Sequence, residues 1–386
     1  MKGLDFQYVL AALDFDTRHF ADVAVRLKGN GTYTSGQRFN KPSLKIDLNK
    51  FVKGQTLAGV TTINLHNNIT DASWMNETLA YRLYRDAGVP APRTAYARVY
   101  VTVAGTREKS YLGLYSLVEN VDDDFAKSRL GLAGAAVLKP VTTTLFKDLG
   151  KDWKAYNQIY DPKSPLKPAD QQRIIELADL VSHATDAVYA TRFPEFVDLN
   201  AFAKYMAVVV WLANTDSLLQ QGQNYYTLLH PTTRALAFVP WDQDHSFGQF
   251  VPFVPAEKQQ QLNLVHPWMR PFDGAPFAID VPNRFLERAF ALDAFKTRYL
   301  AEISTLRKTI AAPDRLAKQV DELAAAIAPI VAEEPSPVLA GAFQQALGTA
   351  PFPRPINPAV TVVPIKTFLR LRDASVEAQL KALGVP

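Results

Sequence analysis

The chain has no cysteine, so disulfides, thiolate zinc sites and cysteine nucleophiles are excluded together. Its six histidines show no His-x-x-x-His spacing, which disfavours zinc hydrolysis. No Gly-x-Ser-x-Gly is present, which disfavours a serine hydrolase. The nearest approach to a long apolar run, Met206 to Ala213, is too short to cross a membrane. Charge of one sign is not in excess: Lys+Arg total 42 against Asp+Glu 38, a net charge of +4. That balance leaves no electrostatic footprint for nucleic acid, and the basic cluster from Arg82 to Arg93 alternates with apolar residues as a solvated helix face does. There is no internal repeat, and no biased segment beyond the Pro-rich 351–364. The amino end has no charged n-region leading into an apolar core, so both a cytosolic protein and a secreted one lacking its signal segment stay open.

What is present supports a large core. With 386 residues and 48% hydrophobic content, a soluble globular protein of two lobes plus a helical extension is expected. The first part carries strand patterns at Val23 to Leu27, Ser43 to Leu48, Ala97 to Val103 and Tyr111 to Val118. In Ser43 to Leu48 the residues Leu44, Ile46 and Leu48 point one way and Lys45 and Asp47 the other, as in an antiparallel sheet with one face on a core. One helix interrupts the strands, capped at Asp71 or Ser73 and ending at Gly88. From about Pro168 the pattern turns helical, with helices predicted over Ala169 to Ala187, Asp198 to Asn214, Arg284 to Ala311, Pro313 to Ala332 and Pro364 to Leu383. A hairpin is predicted from Tyr225 to Leu229 and Leu236 to Val239, and an ordered, packed loop over Phe250 to Pro282. The fold class expected is α+β, an atypical protein-kinase-like two-lobed fold. Its β-rich, antiparallel nucleotide-binding lobe spans 1–120, and its mainly helical lobe spans 121–386.

The richest chemistry lies between Trp211 and Gly248, in Asn-Thr-Asp216, then Asn224-Tyr-Tyr, then Pro-Trp-Asp242-Gln-Asp244-His-Ser-Phe-Gly248. Acidic side chains directly after the apolar strand Leu236 to Val239 cannot join the core. On an extended segment alternate side chains share a face, so Asp242 and Asp244 are expected to reach one cation. Mg²⁺ takes oxygen ligands and few protein carboxylates, and Asp242, Asp244 and the Asn224 amide match that demand.

Four upstream features would complete a nucleotide cleft. The turn Arg26-Leu-Lys28-Gly29-Asn30-Gly31-Thr32 offers backbone N–H groups to phosphate, although Gly-Asn-Gly is equally a hairpin signal. Lys45 is either a phosphate contact or an ordinary solvated strand lysine. Glu77, one turn before Tyr81, either pairs with Lys45 or is a helix-surface carboxylate. Val118 and Glu119, where a strand leaves the β-rich half, either present main-chain groups to a flat base or form a plain connector. Lys139 is a further phosphate contact or a solvated strand end. Taken in order, strand lysine, helical glutamate, crossover, Asp216, Asn224 and Asp242 follow the parts list of a protein kinase.

The segments Arg26 to Asn30, Lys41-Pro-Ser-Leu-Lys45-Ile-Asp-Leu, Leu65 to Asp71, Leu79 to Pro92, Gly113 to Glu119, Asn224-Tyr-Tyr and Pro240 to Gly248 together resemble the CotH (spore coat protein H) atypical kinases. The resemblance spans roughly Asp22 to Gly248 and continues towards the helical end. It implies ATP binding with Mg²⁺ or Mn²⁺ and transfer of the γ-phosphoryl group to serine or threonine of a protein acceptor. By the same resemblance Lys45 contacts the α and β phosphates, Glu77 orients it, and Asp216 is the catalytic aspartate. Asn224 and Asp242 become metal ligands and Asp244 a second ligand or its support. Lys28, Asn30, Val118, Glu119 and Lys139 are the remaining nucleotide contacts. His245 stands where the family carries an aliphatic or small residue. Expected partners are ATP and a protein substrate, with no nucleic acid and no membrane span, and the chain is expected to be a monomer. Two other readings stay open: a non-catalytic kinase-like binding or adhesion protein, and a nucleotide-sugar transferase using Asp-x-Asp, which would need an alternating βαβ start.

Overall fold

The computed structural model describes residues 6–29, 31–250, 256–268 and 283–386. Most of the loop expected over Phe250 to Pro282 lies outside them. The fold is α+β, with twelve α-helices among the described residues. The chain forms two compact units, one of residues 1–78, 92–120 and 320–364, the other of 79–91, 121–319 and 365–386.

The first unit is built on a six-stranded sheet of β1 (Val9–Phe15), β2 (Arg18–Lys28), β3 (Ser43–Asp47), β4 (Thr62–His66), β5 (Thr94–Val103) and β6 (Arg107–Glu119), in the order β1-β2-β3-β4-β6-β5. Every pairing is antiparallel. Alternation sorts the two faces. Ile46, Ile63, Leu65, Val23 and Leu112 enter one hydrophobic core, with Val25, Leu44 and Leu117 packed against it. The register sets Lys45 opposite Asn64 and Asn64 opposite Val118 on the other face.

The Gly-Asn-Gly turn is not a hairpin. After β2, Gly29 takes φ +91°, a conformation that costs glycine little, and the chain enters helix α1 (Gly31–Arg38). Helix α2 (Asn76–Asp86) starts at Asn76, later than caps at Asp71 or Ser73 would place it, because the Asp71 carboxylate holds a turn ahead of it, accepting from Ser73 N and Asn76 N, both at 2.8 Å, and from Ser73 Oγ at 2.6 Å. Asp71 is fully buried. Asp71→Ala is expected to cost about 1–3 kcal/mol, since several buried donors lose their acceptor at once; a denaturant midpoint measured against the wild type checks it. Helix α2 ends at Gly88 (φ +78°), whose N–H donates to Arg85 O.

Residues 320–364 return to this unit. They hold the end of α10 (Pro313–Val331), α11 (Pro337–Ala346) and the hairpin β10 (Phe352–Arg354) with β11 (Asn357–Val362). Ala342, Ala346, Phe352 and Val362 pack on Ala72, and Phe343 meets Trp74 edge-on at 6.0 Å. Just beyond α10, Glu334 is buried. Lys41 Nζ donates to it at 2.7 Å and Leu114 N at 3.1 Å. Gly113 (φ +109°) lies so close that a Cβ there would overlap the Glu334 carboxylate. The motifs at Lys41-Pro and Gly113-Leu-Tyr therefore anchor this segment.

The second unit has a three-stranded antiparallel sheet, β7 (Ala136–Leu138), β8 (Tyr225–Leu229) and β9 (Leu236–Pro240). Around it stand α3 (Asp123–Leu130), α4 (Lys154–Tyr160), α5 (Pro168–His183), α6 (Asp186–Phe196), α7 (Leu199–Trp211), α8 (Arg284–Ala291), α9 (Asp293–Lys308) and α12 (Ile365–Ala382). As its composition predicts, α7 is buried almost all round. Phe202 of α7 lies 4.8 Å from Phe238, 5.4 Å from Phe285 and 5.1 Å from Phe295, ring centre to ring centre. Burying each such ring contributes roughly 1.5–3 kcal/mol. No helix among the described residues is long and apolar enough to cross a membrane.

Arg372 of α12, fully buried, fixes the end of α7. Its guanidinium donates to Val210 O (2.8 Å) and Trp211 O (3.1 Å), two of the carbonyls left over at that helix end, and to Gln260 O (2.9 Å) and Leu262 O (2.8 Å). Burial pulls its pKa down to about 10, while four carbonyl dipoles take the place of water around the charge.

Candidate functional site

In the second unit the chain leaves α7 and reaches Asp216 within five residues. The intervening Asn214 locks this exit to the loop after β9: its Nδ2 donates to Gln243 Oε1 (3.2 Å) and Ser246 Oγ (3.4 Å), and Gly248 N donates to Leu212 O (3.1 Å). Gln243 is buried and also donates to Trp241 O at 2.7 Å. It plugs inward between Asp242 and Asp244. The segment is not the extended one expected: β9 stops at Pro240, and Asp242 is left-handed at φ +52°. Period-two alternation ends there, and the inward plug of Gln243 shapes the loop instead.

Asp242 N donates to Tyr81 Oη at 2.9 Å, so a buried tyrosine of α2 holds the backbone in that left-handed state. Asn224 is left-handed as well, at φ +61°, and its carbonyl accepts from Trp241 N at 3.0 Å. Non-glycine residues in this region concentrate where function over-determines the backbone.

Asp216 is nearly buried, and both its carboxylate oxygens are engaged. Gln223 Nε2 donates to Oδ1 at 2.7 Å, and Asn224 Nδ2 donates to Oδ2 at 3.0 Å and to the Asp216 carbonyl at 2.9 Å. His245 Nε2 lies 3.9 Å from Oδ2. Burial pushes the Asp216 carboxyl up to about 7; the Gln223 bond opposes that, the charges of Asp244 and Asp242 add to it, and the Asn224 bond opposes it. Because the folded-state value is raised, the cost of keeping this group ionised is absent below the usual carboxylate range and grows as pH rises towards 7.

Two bonds from Nδ2 fix the amide flip of Asn224. Asn224 Oδ1 and the carboxylates of Asp242 and Asp244 are all oxygen donors, the ligand type that suits a hard divalent cation. Carboxylates that repel one another around a buried aspartate are also what a cation would relieve. Lys139, just after β7, has its Nζ 5.6 Å from the ring centres of Tyr226 and Trp241. It stands beside the residue that precedes Asp242, over aromatic faces rather than simply in solvent.

In the first unit Lys45 Nζ donates to Asn120 Oδ1 at 3.3 Å, and Asn64 Nδ2 donates to the same oxygen at 3.2 Å. Glu77, expected to orient Lys45, is bonded to His66 Nδ1 at 2.7 Å, and His66 Nε2 meets the Lys28 ammonium. His66 thus stands between Lys28 and the buried Glu77 carboxylate. Glu119 is clamped by Arg93, whose Nη2 donates to Oε1 at 2.6 Å and whose N donates to Oε2 at 3.0 Å. Its own N donates to Arg93 O, and Val118 O accepts from Asn64 Nδ2. Glu119 N and Val118 O are thus engaged, and the next residue is Asn120, whose Oδ1 takes the Lys45 and Asn64 bonds. Asn30 lies outside the described residues.

Sequence reasoning did not single out Asn64 or Gln223, and it carried His66 only within the segment Leu65 to Asp71 and Asn120 only as the end of the crossover Leu117 to Asn120. Their signal was slight: polar residues at alternate positions of a short strand, or one amide beside another.

A family model described as CotH kinase protein matches residues 25–341. The chain belongs to that family. The match runs past Gly248 to include Glu334, in keeping with the return of 320–364 to the first unit. No curated protein matches the chain. Membership makes this CotH-family chain a kinase-like protein.

Proposed function

We propose that the protein is an ATP- and divalent-metal-dependent protein kinase that transfers the γ-phosphoryl group to serine or threonine of a protein acceptor. The observation that carries the reading is Asp216, held on both oxygens by neighbouring amides beside Asn224, Asp242 and Asp244, in a chain of the CotH kinase family.

Each residue has a task in this reading. Asn224 Oδ1 and Asp242 hold Mg²⁺ or Mn²⁺, with Asp244 as a second ligand or support. Lys45, Lys28 and Lys139 meet phosphate oxygens, with Glu77 orienting Lys45 while also bonded to His66. The crossover that carries Val118 and Glu119 contacts the base, with the Val118 side chain itself buried. Metal-bound ATP supplies the activated phosphoryl group and the charge that draws these residues to it. Asp216 orients the acceptor hydroxyl and takes its proton. Phosphoryl transfer requires mainly positioning and charge stabilisation, so this small set suffices. An Asp-x-Asp nucleotide-sugar transferase is disfavoured, because the ladders among the described strands are antiparallel rather than βαβ.

Incubating the protein with γ-labelled ATP, Mg²⁺ or Mn²⁺ and dephosphorylated casein is expected to place label on serine or threonine, and a chelator is expected to abolish it. Metal-dependent ATP binding without transfer, on casein or on native extract, would make the protein a non-catalytic binder and overturn the proposal.

A further inference from the structure

Gln223 stands out among the polar groups around Asp216 because no family motif quoted above includes it and the parts list of a kinase has no place for it. We propose that Gln223 is a positioning residue that selects which rotamer Asp216 presents to the acceptor hydroxyl, and so determines whether the phosphoryl group goes to protein or to water. The inference rests on the kinase reading above.

The geometry is specific. Asp216 Oδ2 and the Asp216 carbonyl are both tied to the Asn224 amide, which leaves rotation about the carboxylate as the remaining freedom. Gln223 Nε2, at 2.7 Å from Oδ1, removes it. The residue before Gln223 is itself pinned. Gly222 N donates to Ser217 O at 2.9 Å, and Gly222 O accepts from Thr142 N at 2.8 Å. Gly222 is left-handed at φ +61°, and a Cβ there would run into the Thr142 carbonyl. Glycine is thus required for the two backbones to approach, and the turn delivers Gln223 at a fixed height over Asp216.

Orienting a protein hydroxyl demands a particular direction of the accepting lone pair. A water molecule reorients freely and can be activated by a less ordered carboxylate. Misplacement by about 1 Å costs around a hundredfold in an oriented reaction. Loss of the Gln223 bond should therefore weaken transfer to protein more than hydrolysis.

The test compares wild type with Gln223→Met, which keeps length and volume but removes the donor. Casein phosphorylation and ATP hydrolysis are measured in the same tube with Mn²⁺-ATP. The ratio of the two rates does not depend on the folded fraction, so a merely structural role leaves it unchanged. The expected result is a ratio lowered at least about tenfold, with KM for ATP unaltered. An unchanged ratio in an active enzyme overturns the role of Gln223. A wild type that transfers nothing to protein overturns the kinase reading instead, and so the two failures are told apart.

Discussion

Asp242→Asn is expected to lower metal-dependent phosphoryl transfer on the order of a thousandfold while leaving the fold intact, because it removes one full charge from the oxygen donor set and nothing from the core. Asparagine is the right probe. Asp242 sits at φ +52°, where asparagine is tolerated and alanine is strained, so Asp242→Ala would mix a backbone cost into the result. The bond that holds this backbone runs from the Asp242 amide to Tyr81 Oη and survives the exchange. Transfer from γ-labelled ATP, followed by a Mn²⁺ titration, checks the expectation: activity should fall and the metal concentration for half-maximal rate should rise. Asp216→Asn should also abolish transfer, but without raising that metal concentration comparably, since in the proposed mechanism Asp216 acts on the acceptor. Full activity in both variants would remove the acidic cluster from the chemistry.

The cluster was readable because its residues adjoin a strand whose end is marked by an apolar run, and the hairpin of β8 and β9 matches its predicted bounds to within a residue. Tertiary features were harder. Helix α1 contains two glycines and two threonines, poor helix formers, and forms in a packed setting where Gly36 is buried and its carbonyl accepts from Lys41 N at 2.9 Å. Strand β4, Thr62–His66, has only two apolar residues in five yet is buried throughout. The single helix expected over Ala169 to Ala187 is two, α5 and α6, broken at Ala184 where Thr185 begins a new cap and accepts from Val188 N. Arg284 to Ala311 likewise divides at Leu292, between α8 and α9. In each case local periodicity ran through a boundary set by packing. The site followed the same rule. Asp216, Asn224 and Asp242 were visible as polar residues after apolar elements, whereas the pairing of Glu77 with His66 depended on the register of a strand that the pattern did not reveal.

Lys41→Met is expected to destabilise the protein by about 3–5 kcal/mol, since it leaves Glu334 as a buried charge whose remaining bond from the main chain is Leu114 N. The lysine also loses its place over the rings of Trp74 and Tyr115, at 5.2 and 5.4 Å. The double variant Lys41→Met with Glu334→Gln should recover most of the loss, because the amide oxygen still accepts from Leu114 N and no charge stays buried. Equal melting points for the single and double variants would show that the charge is not the cause. Burial pulls the Lys41 ammonium down to about 8 against the opposing pull of Glu334. A basic group lowered in the folded state binds fewer protons there than in the unfolded chain between that value and its ordinary one. Stability from this group therefore rises with pH across that window and is flat below it. The difference between wild type and Lys41→Met should accordingly widen above pH 8, while a difference that narrows there would contradict the burial of Lys41 as a strained cation. Because Glu334 helps to fasten 320–364 to β6 and to the Lys41-Pro turn, loss of the pair should show first as cleavage by added protease near Glu334, ahead of global unfolding.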